Sequence, residues 1–382
     1  MNQRSILICT VGTSLFRPNL EGLRKNLAEG TIHDDLRPLA QAYEQRNWAV
    51  VARELARLPP GDCLCGAEIN SIASMIDKAY VPGDCGLFFL HSDTDDGRSI
   101  AAILKSYYQA KGHAPAETLD VPDLQDQDPK RFRTKGLRNL ARKICGVIRE
   151  RSAAACAINA TGGYKAQIAI GVLLGQAINV PVYYKHESFS EIIAFPPMPF
   201  ALDFEVWMRA SGMLYSLERT TEPISAAIYG DEWDEKYESL VERVEIDGQD
   251  YLELSPTGLI FHETFRERFR SARDQVLPTP VPIAQKRPPR LEKAGWPGEH
   301  PEVERFMSRV TNEVPQVAHC ATFYYNPDLA ERTRFRMGPD GVEGIFSDRN
   351  FTVKFRVKTA ATTPGQQQAV VAALNEWLGT RA

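Results

Sequence analysis

Three apolar runs in the first 200 residues each end abruptly in small and polar residues, and this repetition constrains the chain more than any other feature. Residues 6–11 run into Val11-Gly12-Thr13-Ser14, and residues 86–91 into His91-Ser92-Asp93-Thr94-Asp95-Asp96-Gly97. Residues 155–159 run into Asn159-Ala160-Thr161-Gly162-Gly163. A fourth short run covers 180–184, and amphipathic stretches near 36–58, 68–79, 97–111, 134–151 and 164–177 lie between them. Short continuous apolar runs suit strands buried on both faces, and strand–helix alternation predicts a parallel sheet with crossover helices. Ligands of such sheets bind beyond the carboxyl ends of the strands, so all three loops are predicted to line one crevice.

Two of these loops suit an anion. Backbone N–H groups of Gly12-Thr13-Ser14 and Thr161-Gly162-Gly163 can approach a phosphate closely because the side chains are small or absent. The second loop also opens a helix, whose unpaired N–H groups favour negative charge. Thr13, Ser14, Asn159 and Thr161 add neutral donors, and Lys165 adds a positive one. Neither loop has the spacing of a dinucleotide fingerprint or a Walker P-loop, which disfavours those ligands.

Beyond residue 200 the pattern changes. A helix is predicted over 204–217, followed by a short helical region. A hairpin of 241–246 and 251–254 turns at Asp247-Gly248, and a helix opens at Ser255-Pro256-Thr257-Gly258. Helices followed by a hairpin predict a winged helix-turn-helix over 201–275. Residues 276–299 carry Pro278, Pro280, Pro282, Pro288, Pro289 and Pro297 and read as a stiff, solvated linker. Residues 300–382 form a last small module. A helix near 300–314 is followed by strands at 321–325, 332–337, 342–346 and 351–359, with a closing helix near 364–378. Gly338-Pro339-Asp340-Gly341 joins the middle pair of strands, and Asp348-Arg349-Asn350 precedes the last.

Charge distinguishes these parts. Lys+Arg against Asp+Glu is 8 against 17 over 201–275 and 14 against 11 over 276–382. A duplex reader needs cations on its recognition helix and wing. The hairpin VERVEIDGQDYLELS instead holds one arginine among five acids, so the middle segment reads as a structural relay and dimer contact. Its run Arg266, Arg268, Arg270, Arg273 reads as a solvated helix face. In the last module, period two places Thr333, Phe335 and Met337 on one side and Arg332, Arg334 and Arg336 on the other. It likewise opposes Phe351, Val353, Phe355 and Val357 to Lys354, Arg356 and Lys358. Six cations on one open face, with no carboxylate sharing it, predict a polyanion partner such as RNA.

Composition excludes other classes. With 43% hydrophobic and 25% charged residues the chain reads as globular, and no apolar stretch is long enough for a membrane span. The amino-terminal residues lack a signal-peptide pattern, and seven cysteines scattered through apolar segments read as reduced thiols. A cytoplasmic protein is predicted. Cys63 and Cys65 lack a second pair, so no metal site is predicted.

The segments SILICTVGTSL and INATGGYKAQIAIGVLLG resemble the CARF (CRISPR-associated Rossmann fold) domains of type III CRISPR ancillary proteins. The resemblance spans about residues 1–200. It implies a homodimer that binds cyclic oligoadenylate, most often the cyclic tetra-adenylate, as activating ligand with no further cofactor. Gly12, Thr13, Ser14, Asn159, Thr161, Gly162, Gly163 and Lys165 would contact that ligand. The helix–antiparallel sheet–helix plan of 300–382, with its basic strands, resembles the RelE mRNA interferases. CARF, winged helix and RelE-like module in that order resemble the CARF–RelE effectors of antiviral defence. The fold class implied is α/β multidomain: a Rossmann-like domain with a parallel sheet, a winged helix-turn-helix, and a small α+β domain with an antiparallel sheet. The activity implied is an endoribonuclease cutting mRNA on the ribosome without metal, by attack of a 2′-oxygen on the adjacent phosphorus. Arg334, Arg336, Lys354, Arg356 and Lys358 are the candidates for stabilising the developing charge. Many relatives have a late tyrosine for proton transfer. The final helix here has none, and Tyr324 and Tyr325 stand in as candidates. No histidine follows an arginine at the spacing of HEPN nucleases, and the acid of a restriction-type metal site is missing. The alternative from another class is a ligand-responsive DNA-binding regulator.

Overall fold

The computed structural model describes residues 3–125, 127–186, 189, 191–197, 203–292, 300–329, 331–348 and 351–380. It divides into two compact units, 1–200 and 201–382.

In the first unit six strands form one sheet: β1 (Ile6–Thr10), β2 (Gly86–Ser92), β3 (Ala116–Val121), β4 (Cys156–Asn159), β5 (Val182–Tyr184) and β6 (Ile193–Phe195). The order is β3-β2-β1-β4-β5-β6, parallel throughout except for β6, which runs antiparallel to β5. The predicted parallel sheet is therefore present. β3 was not expected: its sequence AETLDV is half polar because it forms the edge of the sheet. Helices α1 (Glu21–Ala28), α2 (Arg37–Glu44), α3 (Trp48–Leu55), α4 (Gly66–Asp77) and α5 (Asp95–Ala110) accompany the first strands. A single turn α6 (Pro129–Arg131) precedes α7 (Leu137–Arg151), and α8 (Lys165–Ala177) follows β4. The stretch expected as one helix over 36–58 is two, because Arg46 adopts φ +53° and Asn47 caps α3 through the Val50 amide. Leu7, Cys9, Leu87 and Phe89 pack with Leu39, Val51, Ile69, Ile72, Ile103 and Leu104 in one core cluster. Burying β1 on both faces accounts for its unbroken apolar sequence.

The second unit begins with α9 (Phe204–Glu218), β7 (Ile224–Ser225) and the hairpin β8 (Val241–Ile246) and β9 (Gln249–Leu254). Positive φ at Asp247 (+51°) and Gly248 (+75°) makes the primed turn that matches strand twist, as that dipeptide predicts. α10 (Pro256–Ser271) and the short α11 (Arg273–Val276) follow, then α12 (Pro301–Glu313). Strands β10 (Val317–Asn326), β11 (Arg334–Gly338), β12 (Gly341–Ser347) and β13 (Thr352–Thr359) form an antiparallel sheet of order β10-β13-β12-β11. The closing helix is α13 (Pro364–Gly379). Val303, Met307 and Val310 of α12 and Val370, Val371 and Leu374 of α13 cover Phe335, Val353, Phe355 and Val357, the apolar face expected from period two. Arg349 and Asn350 of the predicted loop, and 293–299 of the predicted linker, lie outside the described residues.

Two expectations are corrected here. The segment read as solvated linker is laid along the outer edge of β10. The Arg287 and Arg290 amides donate to the Ala318 and Cys320 carbonyls, and the Thr322 amide returns a bond to the Arg290 carbonyl. A bare strand edge invites aggregation, and this segment covers it. At the opposite edge the Asn375 amide of α13 takes both polar groups of Phe335, at 2.9 Å each, and donates to Ser211 of α9 at 3.3 Å. α9 and α13 consequently pack side by side, joining 204–218 to the last module.

The arginine run is a solvated face at Arg268, Arg270 and Arg273, which are exposed as expected, but not at Arg266. Arg266, 11% exposed, pairs with Glu218 at 2.9 Å and with Glu263, while Arg270 pairs with Glu376 of α13 at 2.5 Å. His262 is fully buried, accepts from the Trp207 indole at 3.1 Å and lies 3.4 Å from Glu218. Burial alone would push the Glu218 carboxyl up, but His262 and Arg266 hold it down at about 2. Among the described residues no helix is long and apolar enough to cross a membrane.

A group held below its unfolded pKa stabilises the fold above that pKa, and the contribution is lost as pH falls through the folded value. Glu218→Gln is therefore expected to cost about 3 kcal/mol near neutral pH. The gap to wild type should close between pH 4.5 and about 2, as followed by chemical denaturation at a series of pH values.

Candidate functional site

The order of the first sheet places its switch point beside β1, where the chain leaves for β2 on one side and later returns to β4 on the other. The loops after β1 and β4 meet there. A Cβ at Gly12 would stand 2.5 Å from the Gly163 amide nitrogen, so only glycine permits the approach. The Thr10 hydroxyl donates to the Gly162 carbonyl at 2.5 Å and ties the two loops from below. Gly163 has φ +94° and lies over the buried Gln167 amide. The loop after β2 joins through Arg17, whose guanidinium pairs with Asp96 at 2.9 Å. That pair brings an acid to the rim, so the third loop is less suited to an anion than the other two.

The predicted ligand residues separate into exposed and internal groups. Thr13, Gly163 and Lys165 are exposed, and Gly12, Ser14 and Thr161 are half-buried. Asn159 is 1% exposed and its side chain is engaged beneath the loop. Its amide nitrogen donates to Ser71 at 2.8 Å, while its oxygen accepts from the Thr161 hydroxyl at 2.6 Å and the Thr161 amide at 3.3 Å. Thr161 in turn accepts from the Lys185 amide at 3.0 Å, and Ser14 accepts from the Ala67 amide at 3.0 Å. Asn159 thus shapes the second loop, and Gly162 is buried within it. α8 starts at Lys165 without a side-chain cap on its first turn, leaving its N-terminal dipole aimed at the crevice beside a lysine.

Glu68 escaped the sequence reading. It lies in the first turn of α4, is 1% exposed, and accepts from the Gly12 amide at 2.6 Å. Burial raises its carboxyl above the ordinary range, and its Oε2 has no hydrogen-bond partner among the described residues. Nothing in local periodicity marks this residue, because its contact is with a glycine 56 positions earlier.

In the second unit all five predicted catalytic cations lie on the sheet face opposite the helices, but that face is open only on its β10–β13 side and carries carboxylates. Arg334 is fully buried. It pairs with Glu232 at 2.7 Å and Glu331 at 3.0 Å, donates to the Ile228 carbonyl and sits over the Tyr229 ring. Arg336, 12% exposed, pairs with Glu232 and Glu343, both at 3.2 Å. Lys354 pairs with Glu331 at 3.1 Å. Arg356 and Lys358 are exposed, and Arg356 meets Asp340 at 2.6 Å with both side chains largely in solvent. Arg332 precedes β11 and is exposed. The acids come from β12, from the loop before β11 and from the 226–232 segment, so counting alternate residues on two strands could not reveal them. Tyr324 lies beside Lys354, whereas Tyr325 packs on Phe351 and His300.

Residues 63–198 match the model of the Cas_APE2256 family, described as CRISPR-associated protein. The match takes in Glu68 and the whole Asn159–Lys165 loop, leaves out Gly12, Thr13 and Ser14, and stops short of the second unit. It supports a CRISPR-associated protein. No curated protein matches the chain.

Gly12→Ala is expected to destabilise the protein by about 1–3 kcal/mol, because the new Cβ must push the two loops apart. Gly22, in α1, has nothing within 4 Å of its would-be Cβ, so Gly22→Ala is expected to be neutral or stabilising by up to about 1 kcal/mol. Denaturant midpoints of the two variants give the comparison.

Proposed function

We propose that this chain is a ligand-gated endoribonuclease of type III CRISPR defence. Its first unit binds a cyclic oligoadenylate, with cyclic tetra-adenylate the first choice, and its second unit cuts mRNA on the ribosome. The observation that carries the sensor reading is the junction of the Gly12 and Gly162-Gly163 loops at the switch point, with the uncapped start of α8 and Lys165 beside it. A family match to CRISPR-associated proteins runs through that same loop. A two-fold dimer would double this shallow cradle into one able to hold a ring of phosphates.

For the effector, support comes from five cations gathered on one face of an antiparallel sheet. In the proposed reaction the substrate's 2′-oxygen attacks the adjacent phosphorus and the 5′-oxygen leaves, taking up a proton. Cations at the phosphate stabilise the charge that develops, and Tyr324 or a lysine moves the protons. Arg356 and Lys358 are accessible for this role. Arg334 and Arg336 share Glu232 and are also paired with Glu331 and Glu343, so gating there requires the 226–232 segment to move off them and those acids to give way. The acidic hairpin disfavours the DNA-regulator alternative, and Arg266 is engaged internally with Glu218 and Glu263.

The decisive experiment is mRNA integrity in a translating bacterial extract, with the purified protein and with or without cyclic tetra-adenylate. Cuts are expected only when ring and ribosomes are both present; intact mRNA despite ring binding would discard the nuclease. Lys165→Ala is expected to weaken ring binding by about tenfold, the loss of one charge-assisted contact, in a calorimetric titration. Glu232→Gln, which weakens the one acid shared by Arg334 and Arg336 while Glu331 and Glu343 still pair them, is expected to raise ring-independent cleavage in the same extract.

A further inference from the structure

β10 carries an irregularity that changes which side chains face the cations. Thr322 pairs with Phe355 and Tyr324 with Lys354, so Phe323 is an extra residue opposite the junction of two pairs. In a regular strand, neighbouring residues face opposite sides. A bulge of this kind re-aims a side chain, and here it brings two consecutive aromatics to the cation-bearing face. The Arg356 guanidinium lies 5.3 Å from the centre of the Phe323 ring, and the Lys354 ammonium lies 5.1 Å from that of Tyr324. Both rings keep large exposed areas, 41% for Phe323 and 37% for Tyr324. Lys358, two residues beyond Arg356 on the same face of β13, is also exposed.

We infer that Phe323 and Tyr324 form a stacking platform for the bases of single-stranded RNA, with Arg356 and Lys358 holding the adjoining phosphates; this rests on the ribonuclease reading and says how that site grips its substrate. Exposed rings beside cations match the two halves of a nucleotide, an apolar face and an anion. Duplexes hide their base faces within the stack, so the platform selects unpaired strands. The Arg356–Asp340 pair is solvent-exposed, and such pairs contribute little, so a phosphate can replace Asp340 at small cost. The deeper cations Arg334 and Arg336 are buried under the 226–232 segment and are not needed for this step.

The test is fluorescence anisotropy of a labelled single-stranded oligouridylate with the full-length protein, without ribosomes. Phe323→Ala and Tyr324→Ala are each expected to weaken binding about five- to tenfold, as loss of one stacked base does. Phe323→Trp should restore binding, and Arg356→Gln should flatten the salt dependence by roughly one phosphate. Unchanged affinity in both alanine variants, or equal affinity for a duplex of the same length, overturns the platform. So does a change in oligomeric state with RNA affinity untouched, which would assign the rings to a contact between copies. If the alanine variants lose oligouridylate binding and mRNA stays uncut, the nuclease reading fails while the platform stands. Cutting that is indifferent to both rings removes the platform and leaves the nuclease.

Discussion

The carboxyl of Glu68, buried where β1 ends, organises the candidate sensor site. Its bond to the Gly12 amide fixes the first loop, and the Gly162 backbone packs directly against it. A charged carboxylate in that position would oppose any phosphate bound above and would be costly to bury. Burial raises the Glu68 carboxyl above its ordinary value, while the Gly12 amide bond works the other way. Asn159 and Thr161 then complete the second loop around this point with hydrogen bonds that are internal to the protein. The crevice presents what is left over: backbone, a helix start and Lys165.

A different logic governs the second unit. Its sheet has both edges covered, one by Asn375 and one by the 281–292 segment, and one face covered by α12 and α13. The remaining face carries charge, graded from buried to exposed. Near β11 the arginines are locked by Glu232, Glu331 and Glu343, and near β10 and β13 the cations stand with two exposed rings. Removing one partner of a buried charge pair leaves the other unpaired at high cost. The same contacts that stabilise the unit therefore withhold two of its arginines from an outside anion.

Much of this was legible from the chain. Period two separated Phe335, Phe355 and Val357 from Arg334, Arg336 and Arg356, and the sheet bears out that division. Asp247-Gly248 marked its hairpin because few other dipeptides tolerate two consecutive positive φ angles. Edge strand β3 escaped because a half-exposed strand carries polar residues that blur its pattern. The bulge at Phe323 escaped because pairing with a second strand defines it.

By itself the sequence determined most of the elements, where the parallel sheet gives way to antiparallel ones, and which residues carry charge near strand ends. These follow from local propensity and periodicity, which act over a few residues. Only the tertiary structure decided which of those charges remain available. Glu232 reaches Arg334 from 102 positions away and Glu68 reaches Gly12 across 56, and pairing over such distances is set by packing. Electrostatic neutralisation depends on separation in space, and no pattern along the chain encodes it.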